Sequence, residues 1–279
     1  KSGFKALKGE MKKGFYYIIA LLIVSLFWSC STKKNTKASR FYHAFNSRYN
    51  IYFNGKTSFD EALLSMQNSY KESYSDMILM YPISAQPKDK PETGGPFDRA
   101  IEKSNKAIKL HSIKVFFLFL PQRAWQEQEE YNPFLKKCWL MMGQAQFYNA
   151  DFLQASATFS YIARHYAHDE EVVAEARLWQ ARCYSEMEWF YEAEDILGKL
   201  NTNGIPRKNL NQYAAVYADY LVKNKQYEEA VPYFKTAIKA EKNRRQRTRM
   251  KYLLGQIYAE QDQNGLAYQM FGQVIKANP

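Results

Sequence analysis

The chain has 279 residues, more than one typical domain of roughly 100–200, and its 46% hydrophobic content is ample for a core. Glycine and proline are sparse, with 12 and 9 residues, which favours helices over sheets. The net charge of +11 favours acidic partners or anionic surfaces. Three widely spaced cysteines, Cys30, Cys138 and Cys183, show neither a disulfide framework nor metal-binding spacing, so Cys138 and Cys183 are expected in the core.

Residues 1–29 are predicted to be a signal sequence, of which residues 1–10 lie upstream of its start at Met11. Two lysines after Met11 form a basic region, and the apolar stretch 15–28 follows. This stretch of about 14 residues is too short for a membrane-spanning helix, which needs roughly 20.

Cys30 follows the apolar stretch directly, and a polar, basic segment continues to residue 38. This arrangement resembles a bacterial lipoprotein signal. The resemblance implies cleavage before Cys30 and acylation of its thiol with palmitate, so that residues 30–38 are a lipid anchor and tether. An uncleaved anchor and an ordinary secretory signal are the alternatives.

Residues 39–80 are predicted to form a divergent helical hairpin. The segment 39–53 is expected to place its aromatic side chains in the core, since they recur at spacings of three and four. Asn54 and Gly55 are expected to end this helix, because glycine tolerates a left-handed cap. A second helix is predicted from 58 to about 74. The aromatic residues of the first helix are Phe41, Tyr42, Phe45, Tyr49, Tyr52 and Phe53.

Residues 81–131 are predicted to be a linker with one helix, at about 97–112, after a stretch rich in proline and glycine. The apolar run 115–120 is compatible with a buried segment or with a membrane-contacting or partner-contacting patch. Glutamates 127, 129 and 130 are expected to be solvated.

Residues 132–279 contain a repeat of 37 or 38 residues, marked by Ala155, Ala193, Ala230 and Ala267. A small residue stands 12 positions before each alanine, and a large apolar residue stands four positions after it. A small residue lets the partner helix approach closely, and the large one fills the gap. The small residues are Gly143, Ala181, Ala218 and Gly255; the large ones are Phe159, Leu197, Phe234 and Phe271.

This pattern resembles the tetratricopeptide repeat. The resemblance implies an all-α fold, a right-handed helical solenoid, in which each hairpin buries its apolar face on its neighbours. Such arrays present a curved surface to other proteins. The first helix of each hairpin is expected to line a partner-binding groove, whose candidate residues are Gln144, Phe147, Tyr148, Arg182, Glu186, Asp219, Lys223, Arg249, Tyr252 and Gln256.

A narrower resemblance rests on the asparagine-rich aromatic motif at 49–55 and on the segments 130–135 and 157–162. These are similar to the SprE/PorW family, tetratricopeptide lipoproteins of type IX secretion and gliding motility. The resemblance implies an outer-membrane lipoprotein that faces the periplasm and supports cargo export. Family members are longer, so the chain is expected to be an N-terminal portion.

Chemical sites are weaker candidates. His165 and His168 have ligand-like spacing, but they fall at a helix junction where basic residues are expected. The arginine-rich run 244–249 is compatible with a solvated helix start or with a contact to an acidic partner. No phosphate-binding loop or nucleophile motif is present. We therefore expect no enzyme activity, metal, cofactor, nucleic acid or small-molecule substrate.

The expected partners are other proteins of the secretion or motility machinery, together with a membrane through the acyl anchor. One alternative is an outer-membrane-protein assembly lipoprotein, which would lack the motif at 49–55. The other is a glycan-binding lipoprotein, which needs paired exposed aromatic residues, whereas Trp139 and Trp179 lie inside helical patterns.

Overall fold

The structure, a computed structural model, describes residues 35–86, 94–114 and 129–277. The predicted signal sequence, Cys30 and the apolar run 115–120 lie outside these residues. Within the described ranges all regular elements are helical, and no helix is long and apolar enough to cross a membrane. The helices are α1 (Lys37–Asn46), a π-helical segment (Ser47–Tyr52), α2 (Phe53–Ser69), a 3₁₀ turn (Pro82–Ala85), α3 (Asp98–His111), α4 (Leu135–Tyr148), α5 (Phe152–His165), α6 (Glu170–Glu186), α7 (Phe190–Asn203), α8 (Leu210–Lys223), α9 (Tyr227–Ala240), α10 (Arg244–Glu260) and α11 (Asn264–Ala277).

The helices from α4 to α11 form four successive hairpins, and each hairpin packs on the next. The repeat alanines and the large apolar residues that follow them are the centre of this packing. Ala155, Phe159, Ala193 and Leu197 are completely buried, for example. The all-α solenoid predicted from the sequence is therefore confirmed.

The small-and-large pairing is seen directly in two hairpins. A Cβ atom added to Gly143 would lie 2.7 Å from the Phe159 ring, and one added to Gly255 would lie 2.7 Å from the Phe271 ring. These distances are well below van der Waals contact. Glycine is therefore required at both positions so that the aromatic ring of the second helix can lie against the backbone of the first.

The turns inside the four hairpins share an unusual backbone conformation. Ala150, Glu188, Lys225 and Asp262 each have a positive φ, between 56° and 61°. Each follows the first helix of its hairpin, where a left-handed residue ends the helix and lets the chain reverse. None of the four is glycine, although left-handed backbone costs an L-residue roughly 1–2 kcal/mol.

Replacing Lys225 by glycine is therefore expected to raise the free energy of unfolding by about 0.5–1 kcal/mol. Urea denaturation followed by circular dichroism measures the change. Lys235, an exposed residue inside α9, is the matched control. There, the same replacement should lower stability by about 1 kcal/mol. A Lys225→Gly variant no more stable than the parent would contradict the expectation.

Residues 39–80 do not form the helical hairpin predicted for them; the N-terminal hairpin instead pairs one long helix with α3. The chain is helical without a break from Lys37 to Ser69, through Asn54 and Gly55. A Cβ on Gly55 would lie 2.8 Å from Met141 Cε and 3.0 Å from Lys103 Cβ. The glycine thus serves close packing against α3 and α4, and this packing outweighs its low helix propensity. The second helix of the hairpin is α3, which lies between α2 and α4.

The aromatic residues of this first helix are also placed differently from the prediction. Phe41, Tyr42, Phe45, Tyr49 and Phe53 are exposed. The buried face of the helix is made instead by a different set of residues, three or four positions apart, which are His43, Ser47, Ile51, Gly55, Phe59 and Ala62. The periodicity identified a helix correctly, but the wrong face of it was assigned to the core.

Glu130, predicted to be solvated, ties the end of α3 to the residues that lead into α4. Its carboxylate accepts hydrogen bonds from the backbone N–H groups of Ile113 (2.8 Å) and Asn132 (2.9 Å) and from the Ser112 hydroxyl. Burial raises the pKa of Glu130, although these hydrogen bonds act in the opposite direction. The buried Asn132 side chain in turn donates to the Ser47 hydroxyl and the His111 carbonyl.

The two cysteines of the array are free thiols in the core, as predicted. Burial raises the pKa of Cys138 to about 12, so this thiol stays protonated at neutral pH.

Candidate functional site

The inner face of the array is covered by a segment of the same chain. Residues 70–86, here called the strap, leave α2 and run across the first helices of the hairpins. Most of the strap is neither helix nor strand, apart from its 3₁₀ turn. Its side chains Ile78 and Met80 join the core of the later hairpins, and Ile83 joins that of the first two.

Helix α10 holds the strap mainly by its backbone. The Gln256 amide accepts from the Ile78 N–H (3.0 Å) and donates to the Asp76 carbonyl (3.0 Å). Arg249 Nε donates to the Leu79 carbonyl (2.7 Å), and Gln246 donates to the Met80 carbonyl (2.9 Å). These bonds would form with the backbone of almost any extended segment, because they use no strap side chain.

One strap side chain adds an ion pair to this set. Glu72 receives two bonds from the Arg249 guanidinium, at 2.6 and 2.8 Å. Both side chains are largely buried, and the Arg249 guanidinium lies 5.2 Å from the centre of the Tyr70 ring. A bidentate pair of this kind fixes position as well as contributing energy.

A cluster of buried charges lies beneath the middle of the strap. Lys223 Nζ bonds the carboxylates of Glu186 (2.8 Å) and Asp219 (2.7 Å), and the Ser84 hydroxyl of the strap donates to Glu186 (2.9 Å). Burial raises the pKa of Asp219. Burial disfavours the charged ammonium of Lys223, but the two carboxylates outweigh it and raise the pKa of Lys223.

Arg182 is caged beside this cluster. Its guanidinium carbon lies 4.2 Å from the centre of the Trp179 ring, 4.5 Å from that of Tyr81 and 4.7 Å from that of Phe147. Arg182 is only 6% exposed. It holds the strap through stacking on Tyr81, because a guanidinium is attracted to aromatic faces.

The ten residues predicted to line the groove therefore have mixed positions. Seven of them contact the strap or belong to the charge cluster, and these are Arg182, Glu186, Asp219, Lys223, Arg249, Tyr252 and Gln256. Phe147 is completely buried under Arg182. Tyr148 stacks on Phe97 before α3, and Gln144 is half-buried. The strap fills the space that the sequence analysis assigned to a partner, and contact with a separate protein stays a prediction.

The arginine-rich run 244–249 makes contacts within the chain. Arg245 donates to the Asn68 side chain (2.9 Å) and to the Gln67 carbonyl (3.0 Å), both at the end of α2. Arg247 donates to the Glu241 carbonyl (3.2 Å), and Arg249 holds the strap. The run therefore ties α10 to the segments that flank it.

The histidine pair lies at the junction between α5 and α6. Within the described ranges no group of three or more potential ligands could hold a metal ion. Asp169 accepts from the Val172 N–H at the start of α6 (3.2 Å) and pairs with Lys136 (2.6 Å). The His165 ring stacks on Tyr161, with ring centres 5.1 Å apart, while His168 is exposed.

His165 is expected to make the fold sensitive to acid. Burial, with Lys114 and His168 nearby, lowers the pKa of His165 from 6.5 to about 4. Between pH 6.5 and 4, His165 is therefore protonated in the unfolded chain but not in the folded one. The free energy of unfolding decreases as the pH falls through this range. Between pH 7.5 and 4.5, the midpoint temperature of thermal unfolding should fall less for His165→Phe, which keeps the stacking, than for the parent or for His168→Gln. Equal slopes in all three would contradict this.

A family-model match supports the repeat assignment in the third and fourth hairpins. Residues 212–244 and 248–279 match the family model of the tetratricopeptide repeat. Similar solved structures include a Podosopora anserina putative kinesin light chain with nearly identical TPR-like repeats and a variant of the same protein. Each is 14% identical, covers 80% of this chain, and has a TM-score of 0.43; the matches cover 94% and 93% of those chains. No curated protein sequence matches.

Proposed function

We propose that this chain of tetratricopeptide repeats is a membrane-tethered scaffold that binds other envelope proteins in type IX secretion and gliding motility. The general part of the proposal, a scaffold for protein contacts, follows from the fold, since such arrays present a large surface to other proteins. The narrower part follows from the lipoprotein-like start of the sequence and from the SprE/PorW resemblance of residues 49–55, 130–135 and 157–162.

The observation that carries the proposal is the strap itself. The inner helices hold an extended polypeptide by side chains that bond its backbone, as Arg249, Gln246 and Gln256 do. This is the kind of contact by which a helical array recognises a segment of another protein. Because the strap already takes these groups, we place the partner on the outer side of the strap.

The outer side of the strap has the chemistry of a protein-contact surface. Tyr74 is 68% exposed and packs edge-on against Tyr252, with ring centres 5.6 Å apart. Beside it lies an open cavity of about 400 Å³, whose lining includes Lys71, Arg245 and Val274. Tyrosine and arginine are the residues that most often anchor protein interfaces.

The proposed mechanism is positional. An acyl group on Cys30 would hold one end of the chain at the outer membrane, on its periplasmic side, while the array presents the strap surface to other machine components. Local concentration at a membrane lets modest affinities suffice.

The experiment compares a deletion strain carrying the parent, Tyr74→Ser or Tyr191→Ser. Tyr191 is the control, because it is 81% exposed on α7 and away from the strap. The parent and Tyr191→Ser should restore cargo export and co-purify with secretion components, whereas Tyr74→Ser should capture several-fold less of them. Radiolabelled palmitate should enter the parent and be lost with Cys30→Ala.

Three results would count against the proposal. Normal cargo export in the deletion strain would remove the secretion role, and a defect confined to outer-membrane-protein assembly would favour that alternative. Equal capture of secretion components by Tyr74→Ser and Tyr191→Ser would show that the strap surface does not bind the partner. Incorporation of palmitate into Cys30→Ala would contradict the acyl anchor at Cys30 and leave the rest of the proposal unchanged.

A further inference from the structure

The first helix carries a line of exposed aromatic side chains, here called the aromatic stripe. Phe41, Phe45, Tyr49 and Phe53 are 73%, 48%, 51% and 64% exposed. They follow one another at intervals of four residues. The Phe41 and Phe45 rings stack with centres 6.1 Å apart, and the Phe45 and Tyr49 rings contact each other at a tilt, with centres 4.8 Å apart. A contiguous exposed apolar surface of this kind marks an interaction site.

The π-helical segment keeps the stripe on one side of the helix. In an α-helix, residues four apart drift by about 40° at each step, so four such residues would wind around the axis. The segment Ser47–Tyr52 has the wider turn of a π-helix and reverses this drift. It also directs Ser47 and Ile51 into the core. The same local geometry therefore fixes both the buried face and the exposed face.

The surface beside the stripe is concave. An open cavity of about 500 Å³ is lined by three stripe residues together with Arg48, Pro133 and Phe134. The opposite side of the helix is already covered by α3 and the start of α4, so the stripe takes no part in the fold of the array.

The positive charge around the stripe indicates what kind of surface it binds. Residues 31–59 contain six lysines and arginines and not one aspartate or glutamate. Arg48 lies over the stripe itself, with its guanidinium carbon 5.1 Å from the centre of the Tyr49 ring, and Arg40 lies 5.0 Å from that of Tyr131. Aromatic side chains flanked by cations are the composition of helices that lie in the headgroup region of anionic bilayers.

Position along the chain points to the same partner. Lys37, where α1 begins, is seven residues after Cys30, and the apolar stretch 15–28 ends just before it. Seven extended residues span at most about 25 Å. An acyl group on Cys30 would therefore keep the start of α1 within that distance of the lipid surface, and Phe41 lies four residues, or about 6 Å, further along the helix. Anchoring by the apolar stretch 15–28 adds only two residues to this reach.

We propose that the aromatic stripe docks on the headgroup region of an anionic lipid bilayer, with the helix lying parallel to the membrane. This rests on the membrane tether of the proposed function and not on its secretion role. Docking would fix the orientation of the whole array, because α1 and α2 are one continuous helix that packs on α3 and α4.

The test measures the depth of the stripe in the bilayer. The full chain is made by cell-free synthesis, which leaves residues 1–29 in place, on vesicles of phosphatidylcholine and phosphatidylglycerol that carry nitroxide-labelled headgroups. A fluorophore is attached at Phe45→Cys or, as the control, at Tyr191→Cys on α7, in a Cys30→Ser background. Cys138 and Cys183 are buried and do not compete for the label. The label at 45 should be quenched at least two-fold more than the label at 191.

The charge contribution is tested in the same assay. Neutral vesicles, or the combined variant Lys37→Gln, Arg40→Gln and Arg48→Gln, should reduce the difference in quenching between the labels at 45 and 191. Equal quenching at 45 and 191 on vesicle-bound chain would overturn the docking, and so would chain that does not float with vesicles. Neither result bears on the acyl tether, because Cys30 is replaced here and the tether is tested by palmitate labelling of the parent and Cys30→Ala. A stable dimer in solution that is dispersed by Phe41→Ser with Tyr49→Ser would show that a second copy covers the stripe, and would overturn the docking.

Discussion

Replacing Lys223 by methionine is expected to lower the free energy of unfolding by about 3–5 kcal/mol. Lys223 is the cation that neutralises Glu186 and Asp219, and both carboxylates are about 2% exposed. Without the ammonium, two like charges face each other in a site that water does not reach. The change should also loosen the strap, since the Ser84 hydroxyl bonds Glu186. Urea denaturation measures the loss, and limited proteolysis within residues 70–86 reports the strap.

A second lysine provides a closely matched control. Lys199 pairs with Asp195 at 2.6 Å with the same four-residue spacing as Lys223 and Asp219, but both partners are exposed. Lys199→Met is therefore expected to cost less than about 1 kcal/mol. Adding Glu186→Gln and Asp219→Asn to Lys223→Met should restore much of the stability. Acidification should also narrow the deficit of Lys223→Met, because protonation removes the unpaired charges. A deficit that is the same at pH 5 and pH 7.5 would contradict the explanation.

The repeat could be predicted from sequence because its packing is local. Gly143 and Phe159 lie in the two helices of one hairpin, 16 residues apart, and their contact recurs at Gly255 and Phe271. A contact that repeats at a fixed spacing leaves a period in the sequence, and four periods in register identify the fold.

The N-terminal hairpin shows what periodicity does not decide. A spacing of three and four residues identifies an amphipathic helix, but it does not say whether the core or another surface covers the apolar face. The exposed Phe41 and Phe45 were assigned to the core for this reason. Gly55 was taken for a cap because its closest neighbours, Lys103 and Met141, are distant in the sequence.

The strap left no comparable signal. Its bonds to Gln256 and Arg249 join residues about 170 to 180 positions apart, and most of them use backbone atoms. Such contacts do not depend on the strap's side chains and produce no periodic pattern. Lys223 was assigned to an open groove, because its burial depends on helix packing and on a strap that the sequence does not reveal.

The strap also changes how the array can be used. Charge reversal of Arg182 and Arg249 would not test binding to the groove, because both side chains hold the strap. Arg182 also lies beside Glu186 and Asp219, under three aromatic rings. A glutamate at 182 would add a third buried carboxylate and damage the fold itself. Surface variants such as Tyr74→Ser separate binding from folding, because they leave the aromatic rings around Arg182 and the charge cluster in place.

Replacing Gly143 by leucine is expected to destabilise the first hairpin by about 3 kcal/mol. A Cβ at this position would lie 2.7 Å from Cζ and 2.8 Å from Cε1 of Phe159. The ring cannot move aside, because Phe159 is completely buried and stacks on Trp179, with ring centres 5.8 Å apart. The helices α4 and α5 would have to separate, and the core that they share with α6 would open.

The cause of this loss can be isolated with two further variants. Gly198 lies inside α7 with nothing within 4 Å of an added Cβ, so Gly198→Leu should be neutral or stabilise by up to about 1 kcal/mol through helix propensity. Phe159→Ala alone should cost about 3–5 kcal/mol through the cavity it leaves. Combined with Gly143→Leu, it should cost at least 1 kcal/mol less than the sum of the two, because the leucine then occupies the space of the ring. Strict additivity would mean that the two residues do not compete for one volume, and the small-and-large rule that defines the repeat would lose its physical basis here.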